Sequence, residues 1–509
     1  MTTLWRRSVR RPTAALQRVT FGDAAVAGIA VFVGAAVALA PVATVAILAG
    51  GLATVVIIAS GRRSADIFLG TLALLIVVYA FMGRGGAYIG FGGVYVGELG
   101  LYVGLLALLL HLPRARVGRL HVVILLFMAL GAVRTIPYIG TYGIDALRDA
   151  VVWAYALFAI AVSVLLSPDR LASVTAAYSR LIPVFLAWVP VAAAAVTLFA
   201  AQLPRWPGAP VGLVYVKYGD AAVLLAGVAA FLLVGLRSGR PRQIPETLVW
   251  ILLLADLAIV GAISRGGLLA AVVGGGSALL FVRSSPRFLR ALLIAATFFV
   301  AMYLVNPSVQ LNRTGREVSF SQLVDNAVSV VSDTSGSNLQ STRAWRLAWW
   351  DKIVGYTVDG PYFLTGKGFG INLADDDGFQ VTADHSLREP HNGHLAILAR
   401  GGVPLLILWA ALQVGFGIGL ARAARRARRA GNLFLSQVAA WVFAFWLAAL
   451  INMSFDVYLE GPQGGIPFWG AIGLGLVVMR AAREPAGAAE AGTIGERSGP
   501  TIAAGVVAG

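Results

Sequence analysis

The chain has 509 residues, 58% hydrophobic and only 13% charged. Soluble domains carry roughly 45–50% apolar and about 25% charged residues, so a soluble fold is excluded. It has no cysteine, which rules out disulfides, iron–sulfur clusters and thiolate zinc sites. The net charge of +16 would suit nucleic acid, but most of it lies in short loops between apolar runs, where cations set membrane topology.

In chain order, residues 1–22 read as a basic cytoplasmic segment with Arg6, Arg7, Arg10, Arg11 and Arg18 and no evident cleavable signal. Residues 23–306 read as a transmembrane bundle, with apolar runs at 23–40, 42–60, 66–82, 95–112, 119–133, 149–167, 179–202, 219–237, 247–264, 266–283 and 288–306. Residues 307–401 are polar and form an expected extracytoplasmic loop subdomain that caps the bundle. Residues 402–480 carry further spans at 402–421, 433–455 and 466–480. Residues 481–509, rich in Ala and Gly, read as a disordered cytoplasmic tail. The expected fold is therefore an all-α polytopic membrane protein of about 12–14 helices, taking about 20 residues per span. Alternate loops carry Arg62-Arg63, Arg114/Arg116/Arg119, Arg170/Arg180, Arg237/Arg240/Arg242, Arg283/Arg287/Arg290 and the run Arg422–Arg429. The positive-inside rule assigns these loops, and both termini, to the cytoplasm. No inverted repeat of the kind that marks a secondary transporter is visible.

The candidate chemistry lies on the other side. Arg265, in Ser264-Arg265-Gly266-Gly267, stands where topology disfavours a cation; the alternative is an arginine that snorkels to headgroups. In Ser341–Lys352, helical spacing puts Arg343, Arg346 and Trp350 on one side and Trp345 and Trp349 on another. This reads as an interfacial helix with its rings at headgroup depth, its arginines either binding a ligand or anchoring. In Pro390-His391-Asn392-Gly393-His394, the imidazole of His391 is placed to accept a proton near neutral pH, or else caps the helix that follows. Gly401-Gly402 and Pro404 read as the break before the next span.

Weaker features complete the survey. Asp375-Asp376-Asp377 with His385, His391 and His394 is a poor metal motif, and the aspartates read as a solvated turn. The glycines of 83–100 lack the strand–turn–helix context of a nucleotide cradle. Glu98, Asp220 and Asp256 are either proton-relay groups of a transporter or buried hydrogen-bond partners. Arg134 and Arg148 are further outer cations. Arg148 has Asp145 and Asp149 as local partners, yet with Arg265 and Arg346 it could frame a pyrophosphate, which guanidinium binds bidentately.

Three blocks resemble the O-antigen ligase and polymerase family of bacterial membrane glycosyltransferases. They are Ser264-Arg265-Gly266; Trp345-Arg346-Leu347-Ala348-Trp349-Trp350 with Gly366-Lys367-Gly368-Phe369-Gly370; and Pro390-His391-Asn392-Gly393-His394-Leu395 with Gly401-Gly402-Val403-Pro404. Ser454-Phe455-Asp456 also fits the family's last hairpin, whereas Gly393 departs from the larger residue many relatives carry. The resemblance implies a GT-C-type glycosyltransferase in the bacterial cell membrane, with its active site outside the cytoplasm. Its donor would be a glycan on polyprenyl pyrophosphate such as undecaprenyl pyrophosphate, and its acceptor a hydroxyl on a glycan, lipid or protein. No metal, cofactor or nucleic acid is implied. Carried over to this chain, His391 would be the general base; Arg265 and Arg346 would hold the pyrophosphate, with Arg343 as alternate and Arg148 nearby. A competing expectation is a transporter or flippase for polysaccharide or lipid-linked sugar.

Overall fold

The computed structural model describes residues 41–91, 94–114, 116–207, 211–237, 244–281, 286–311, 316–319, 321–324 and 337–484. The expected span at 23–40, the segment 1–22 and most of the tail lie outside the described residues. The protein is an all-α, multi-pass membrane protein. Its helices are α1 (Pro41–Ser60), α2 (Ser64–Met82), α3 (Val96–His111), α4 (Arg119–Tyr142), α5 (Ile144–Ala154), α6 (Ala156–Leu165), α7 (Leu171–Leu198), α8 (Tyr218–Leu233) and α9 (Glu246–Ile263). Then come α10 (Arg265–Leu269), α11 (Pro286–Val305), α12 (Ser337–Thr357), α13 (Leu373–Asp377), α14 (Gly393–Arg429), α15 (Leu433–Met453) and α16 (Pro462–Ala481). Two short antiparallel hairpins are the strands described: β1 (Gly90–Phe91) with β2 (Val94–Tyr95), and β3 (Ser308–Leu311) with β4 (Arg316–Ser319), the latter pairing Ser308 with Ser319.

Every expected span from residue 42 onward is met by a helix. Among the described residues, eight helical runs are long and apolar enough to cross a membrane, or nine if the bent pair α5–α6 is one span. The shortfall from the expected count has physical causes. α3, α8 and the run Arg265–Phe281 are apolar but short, and α5–α6 bends by 42°. The run 48–82 also counts as one, although Gly61 (φ 50°) reverses it. Thr54 bonds the Tyr102 hydroxyl at 2.8 Å, while Phe68 packs on Gly104. On one straight helix residues 54 and 68 would stand about 21 Å apart, so α1 and α2 must fold back to reach adjacent turns of α3.

Side-chain contacts sort the loops into two ends. At one end Arg170 pairs with Asp66, Arg116 with Glu484 (3.2 Å), Arg480 bonds the carbonyls of Ser163 and Leu166, and Arg428 that of Phe281. The arginine-rich loops thus gather together, as alternate loops of a multi-pass bundle should. Aromatic packing of Phe127, Trp409, Phe468 and Trp469 fills the core between α4, α14 and α16, with centroids 5.8–6.0 Å apart.

The opposite end carries the segment between α11 and α14. Its residues 366–370 are threaded between the ends of α4, α5 and α14. Lys367 N donates to Ala399 O (2.7 Å), Gly368 N to Arg400 O (2.9 Å), and Gly370 N to the Asp149 carboxylate (3.0 Å). α14 bends at Gly402 (φ 71°, ψ −174°), which is the break expected from Gly401-Gly402-Pro404.

Two expectations are corrected here. Trp349 is not an interfacial ring facing lipid headgroups: it is 0% exposed, stacks on Phe379 at 5.4 Å, and donates to Asp377 at 2.7 Å. With Ile353, Leu373, Ala374, Leu398 and Ala399 it forms a second small core. A tryptophan buries more area by packing against its own subdomain than by floating at an interface. The three aspartates are a solvated turn only in part: Asp375 and Asp376 are exposed, whereas Asp377 is buried. Lys367 bonds Asp376 and Asp377 at 2.5 Å each and lies 4.1 Å from the Tyr356 ring, while Asp375 pairs with His385. The buried Asp377 with Lys367 forms the clasp that closes this core.

Candidate functional site

His391 is built into an uncommon backbone. Its φ is 52°, a left-handed conformation that costs a non-glycine residue about 1–3 kcal/mol and persists only when neighbours enforce it. Both neighbours do. The Pro390 carbonyl accepts from Trp350 Nε1 at 2.8 Å. Asn392 caps α14, its side chain accepting from His394 N (3.0 Å) and Leu395 N (3.1 Å). The cap falls to Asn392, so the alternative reading of His391 as the capping residue is not what the geometry requires. His394 is engaged elsewhere, accepting from Trp409 Nε1 at 3.0 Å with its other nitrogen 3.3 Å from Leu450 O.

The His391 imidazole is one-third exposed, and its Nδ1 lies 3.8 Å from Asp456 Oδ1. Lys217, from the turn before α8, clamps the same carboxylate at 3.0 and 3.1 Å. Burial pushes the Asp456 carboxyl up, but the His391 contact and the Lys217 ammonium outweigh this and hold it well below the usual carboxylate range. Burial also opposes the Lys217 charge, and Asp456 and Asp220 more than restore it.

Arg346 projects from α12 to the same place, its Nη1 donating to Phe455 O at 3.3 Å. Its Nε is buried and finds no hydrogen-bond partner among the described residues. Burial lowers its pKa, Asp456 opposes this, and the charge of Arg265 reinforces it; a guanidinium nevertheless stays protonated. Arg265 opens α10, whose start is capped by Ser264 through Gly267 N at 3.1 Å. The next residue, Gly266, lies against Phe455, so closely that a Cβ there would stand 2.8 Å from the Phe455 Cβ. Arg346, Lys217 and His391 thus converge on the Phe455-Asp456 turn, with Arg265 near Arg346 and Asp220 a second carboxylate near Lys217. Guanidinium and ammonium groups gathered in this way are the chemistry that binds anions.

A cavity of about 560 Å³ opens beside it, lined in part by Trp345, Arg346, Thr382, Ser386 and His391. Small-ligand pockets run to roughly 300–1,000 Å³. Of the other candidates, Arg343 is exposed one turn before Arg346 on α12. Arg148 joins a separate group, 3.3 Å from Asp145 and 3.7 Å from Asp149.

The O-antigen ligase family model matches residues 247–410. That segment runs from α9 into α14 and contains Arg265, Arg343, Arg346 and His391. No curated protein matches the chain. Lys217 and Asp456 fall outside the O-antigen ligase segment and were not singled out by sequence as site residues. One signal was available for Lys217: the chain has three lysines. All three make polar contacts at this end, Lys217 with Asp456, Lys352 with Asp377 O and Lys367 with the aspartate clasp, whereas the opposite end relies on arginine.

Proposed function

We propose that the protein is a membrane glycosyltransferase that moves a glycan from a polyprenyl-pyrophosphate carrier to a hydroxyl acceptor. It would act in the bacterial cell membrane, with both termini cytoplasmic and the site outside. The observation that carries this reading is the convergence of His391 with Arg265, Arg346 and Lys217 at the end of the bundle remote from the arginine-rich loops. The O-antigen ligase match supports the same class.

In this reading His391 is the general base. Asp456 stands 3.8 Å from Nδ1 and faces that side of the ring, leaving Nε2 to take the acceptor proton. The acceptor oxygen bonds to the anomeric carbon as the bond from that carbon to the phosphate oxygen breaks, and the configuration inverts. Arg265 and Arg346 neutralise the charge that grows on the departing pyrophosphate. The lowered Asp456 pKa keeps that carboxylate ionised, so it can stabilise the imidazolium that forms.

The test uses the full chain in lipid nanodiscs with a polyprenyl-pyrophosphate glycan. Wild type should release polyprenyl pyrophosphate and form a glycoconjugate. His391→Ala should lose about 10²–10⁴-fold in rate, the usual worth of a general base, with unchanged thermal unfolding. A His391→Ala protein with wild-type turnover would remove the assignment, and solute uptake without transfer would favour a transporter.

A further inference from the structure

We propose that Glu389 and Glu460 share one proton, and that this proton fastens the turn bearing His391 to the turn bearing Asp456, which makes Glu460 a positioning residue for the site. The positioning role rests on the transferase reading; the shared proton stands without it.

The two carboxyls meet in a cluster that holds more acids than cations. Arg400 bonds Asp149 at 3.0 Å and pairs with Glu389, while Arg388 bonds Asp149 at 3.0 Å and Asp145 at 3.3 Å. Arg148 lies 3.3 Å from Asp145 and 3.7 Å from Asp149. These three guanidiniums face Asp145, Asp149, Glu389 and Glu460, which is one carboxyl too many. Glu460 takes part in none of these ion pairs and lies instead against Glu389, close enough for one carboxyl to donate to the other. Glu389 is 6% exposed. Its Oε2 and the Glu460 Oε1 are both buried and find no hydrogen-bond donor among the described residues. An ionised carboxylate only accepts, so the two oxygens bond each other only through a proton, and like charges in contact do not both ionise. Burial, Glu389 and Asp149 raise the Glu460 carboxyl well above its usual value against the opposing charge of Arg400. The proton belongs to the pair rather than to either residue.

The pair sits where it can set the geometry of the site. Glu389 stands two residues before His391 and is anchored to α14 through Arg400. Glu460 stands four residues after Asp456 and directly before Gly461, which leads into α16. His391 Nδ1 and Asp456 Oδ1 are 3.8 Å apart, beyond hydrogen-bond range. Their alignment therefore follows from where the two turns are held rather than from a bond of their own. Loss of the shared proton puts two negative charges in contact and drives the turns apart, and a displaced general base loses rate steeply.

The experiment compares full-length wild type, Glu460→Gln and Glu460→Ala in nanodiscs. The infrared difference at neutral pH, wild type minus Glu460→Gln, should show the C=O stretch of a protonated carboxyl. A difference made only of carboxylate bands would overturn the shared proton. Turnover of the polyprenyl-pyrophosphate glycan is then followed against pH. Glu460→Ala should lose about tenfold or more in kcat, the cost of a misplaced group, with an unchanged KM for the donor. Glu460→Gln, whose amide still donates to Glu389, should restore kcat. Wild-type kcat should fall on the alkaline side as the pair gives up its proton, and Glu460→Gln should lack that fall. Wild-type kcat in Glu460→Ala, equal losses in both variants, or an alkaline limb that persists in Glu460→Gln would each overturn the positioning role. Should Glu460→Ala fail to fold, the alkaline limb of Glu460→Gln decides alone. Wild type without glycan transfer would sink the transferase reading, while the infrared difference still decides the proton.

Discussion

Two clusters of charge lie at the same end of this bundle, and they are built to opposite specifications. Around Arg400 the buried cations have carboxylate partners. Arg400 is 1% exposed, bonds Asp149 at 3.0 Å and pairs with Glu389, while Arg388 holds Asp149 at 3.0 Å and Asp145 at 3.3 Å. Around Asp456, Lys217 clamps the carboxylate, His391 stands 3.8 Å from it, and the neighbouring Arg346 bonds a backbone carbonyl instead. The first cluster ties α5 to the loop before α14 and to α14 itself; its charges are spent on the fold. In the proposed reading the second takes an anion. A buried cation that already has its carboxylate is poor evidence of function, and Arg400 and Arg388 have theirs.

The largest effect should come from breaking the buried Arg400 cluster. Arg400→Met leaves Glu389 buried without its cation and takes one of two from Asp149, a loss of about 3–5 kcal/mol. Thermal unfolding in detergent should show a large drop and poor recovery of folded protein. An unchanged melting temperature would mean that this network carries no structural load.

Arg346→Ala should do the reverse. Pyrophosphate binding should weaken by about 1.5–3 kcal/mol, the worth of hydrogen bonds to a charged group, read by calorimetry. The melting temperature should hold or rise, because a repulsion with Arg265 is relieved. A loss of stability comparable to Arg400→Met would erase the contrast between the clusters.

His391→Gly sharpens it further. Glycine adopts φ near 52° without strain, so relief of the left-handed backbone should raise stability by up to about 1 kcal/mol, while turnover is lost. The measurement is denaturation and activity on one preparation. A destabilised variant would show that the side chain supports the fold.

The smallest effect is the pH dependence, and the clusters should slope in opposite directions. Burial and the neighbouring Glu389 raise the Glu460 carboxyl well above its usual value, against the pull of Arg400. A raised carboxyl contributes its stability fully below its unfolded value near pH 4.3 and loses it as pH climbs through the folded value. Glu460→Gln should flatten the alkaline fall in melting temperature. Asp456 is depressed, so its contribution is present above its unfolded value near pH 3.9 and is lost as pH drops below it. Asp456→Asn should remove only the acid-side slope.

Much of this was legible in the sequence because it is local. Twenty-residue apolar runs gave the spans, Gly401-Gly402-Pro404 gave the bend, and Arg265, Arg346 and His391 stood out as polar groups in unusual places. What escaped was non-local. Asp456 meets Lys217 across 239 positions, and no periodicity encodes that contact. Asp149 looked like a partner for Arg148 next door, yet its strong bonds go to Arg388 and Arg400. The tryptophans of α12 misled for a related reason: their spacing shows which share a face, while the identity of what that face meets, here Phe379 and Asp377, is set by tertiary packing.

The most direct measurement is a structure of the full chain in nanodiscs with undecaprenyl pyrophosphate bound. The pyrophosphate oxygens should lie within hydrogen-bonding distance, about 3 Å, of Arg265 and Arg346, with the His391 imidazole facing the same cavity. Pyrophosphate density at the arginine-rich end of the bundle, or a bound head that touches neither guanidinium, would contradict the account.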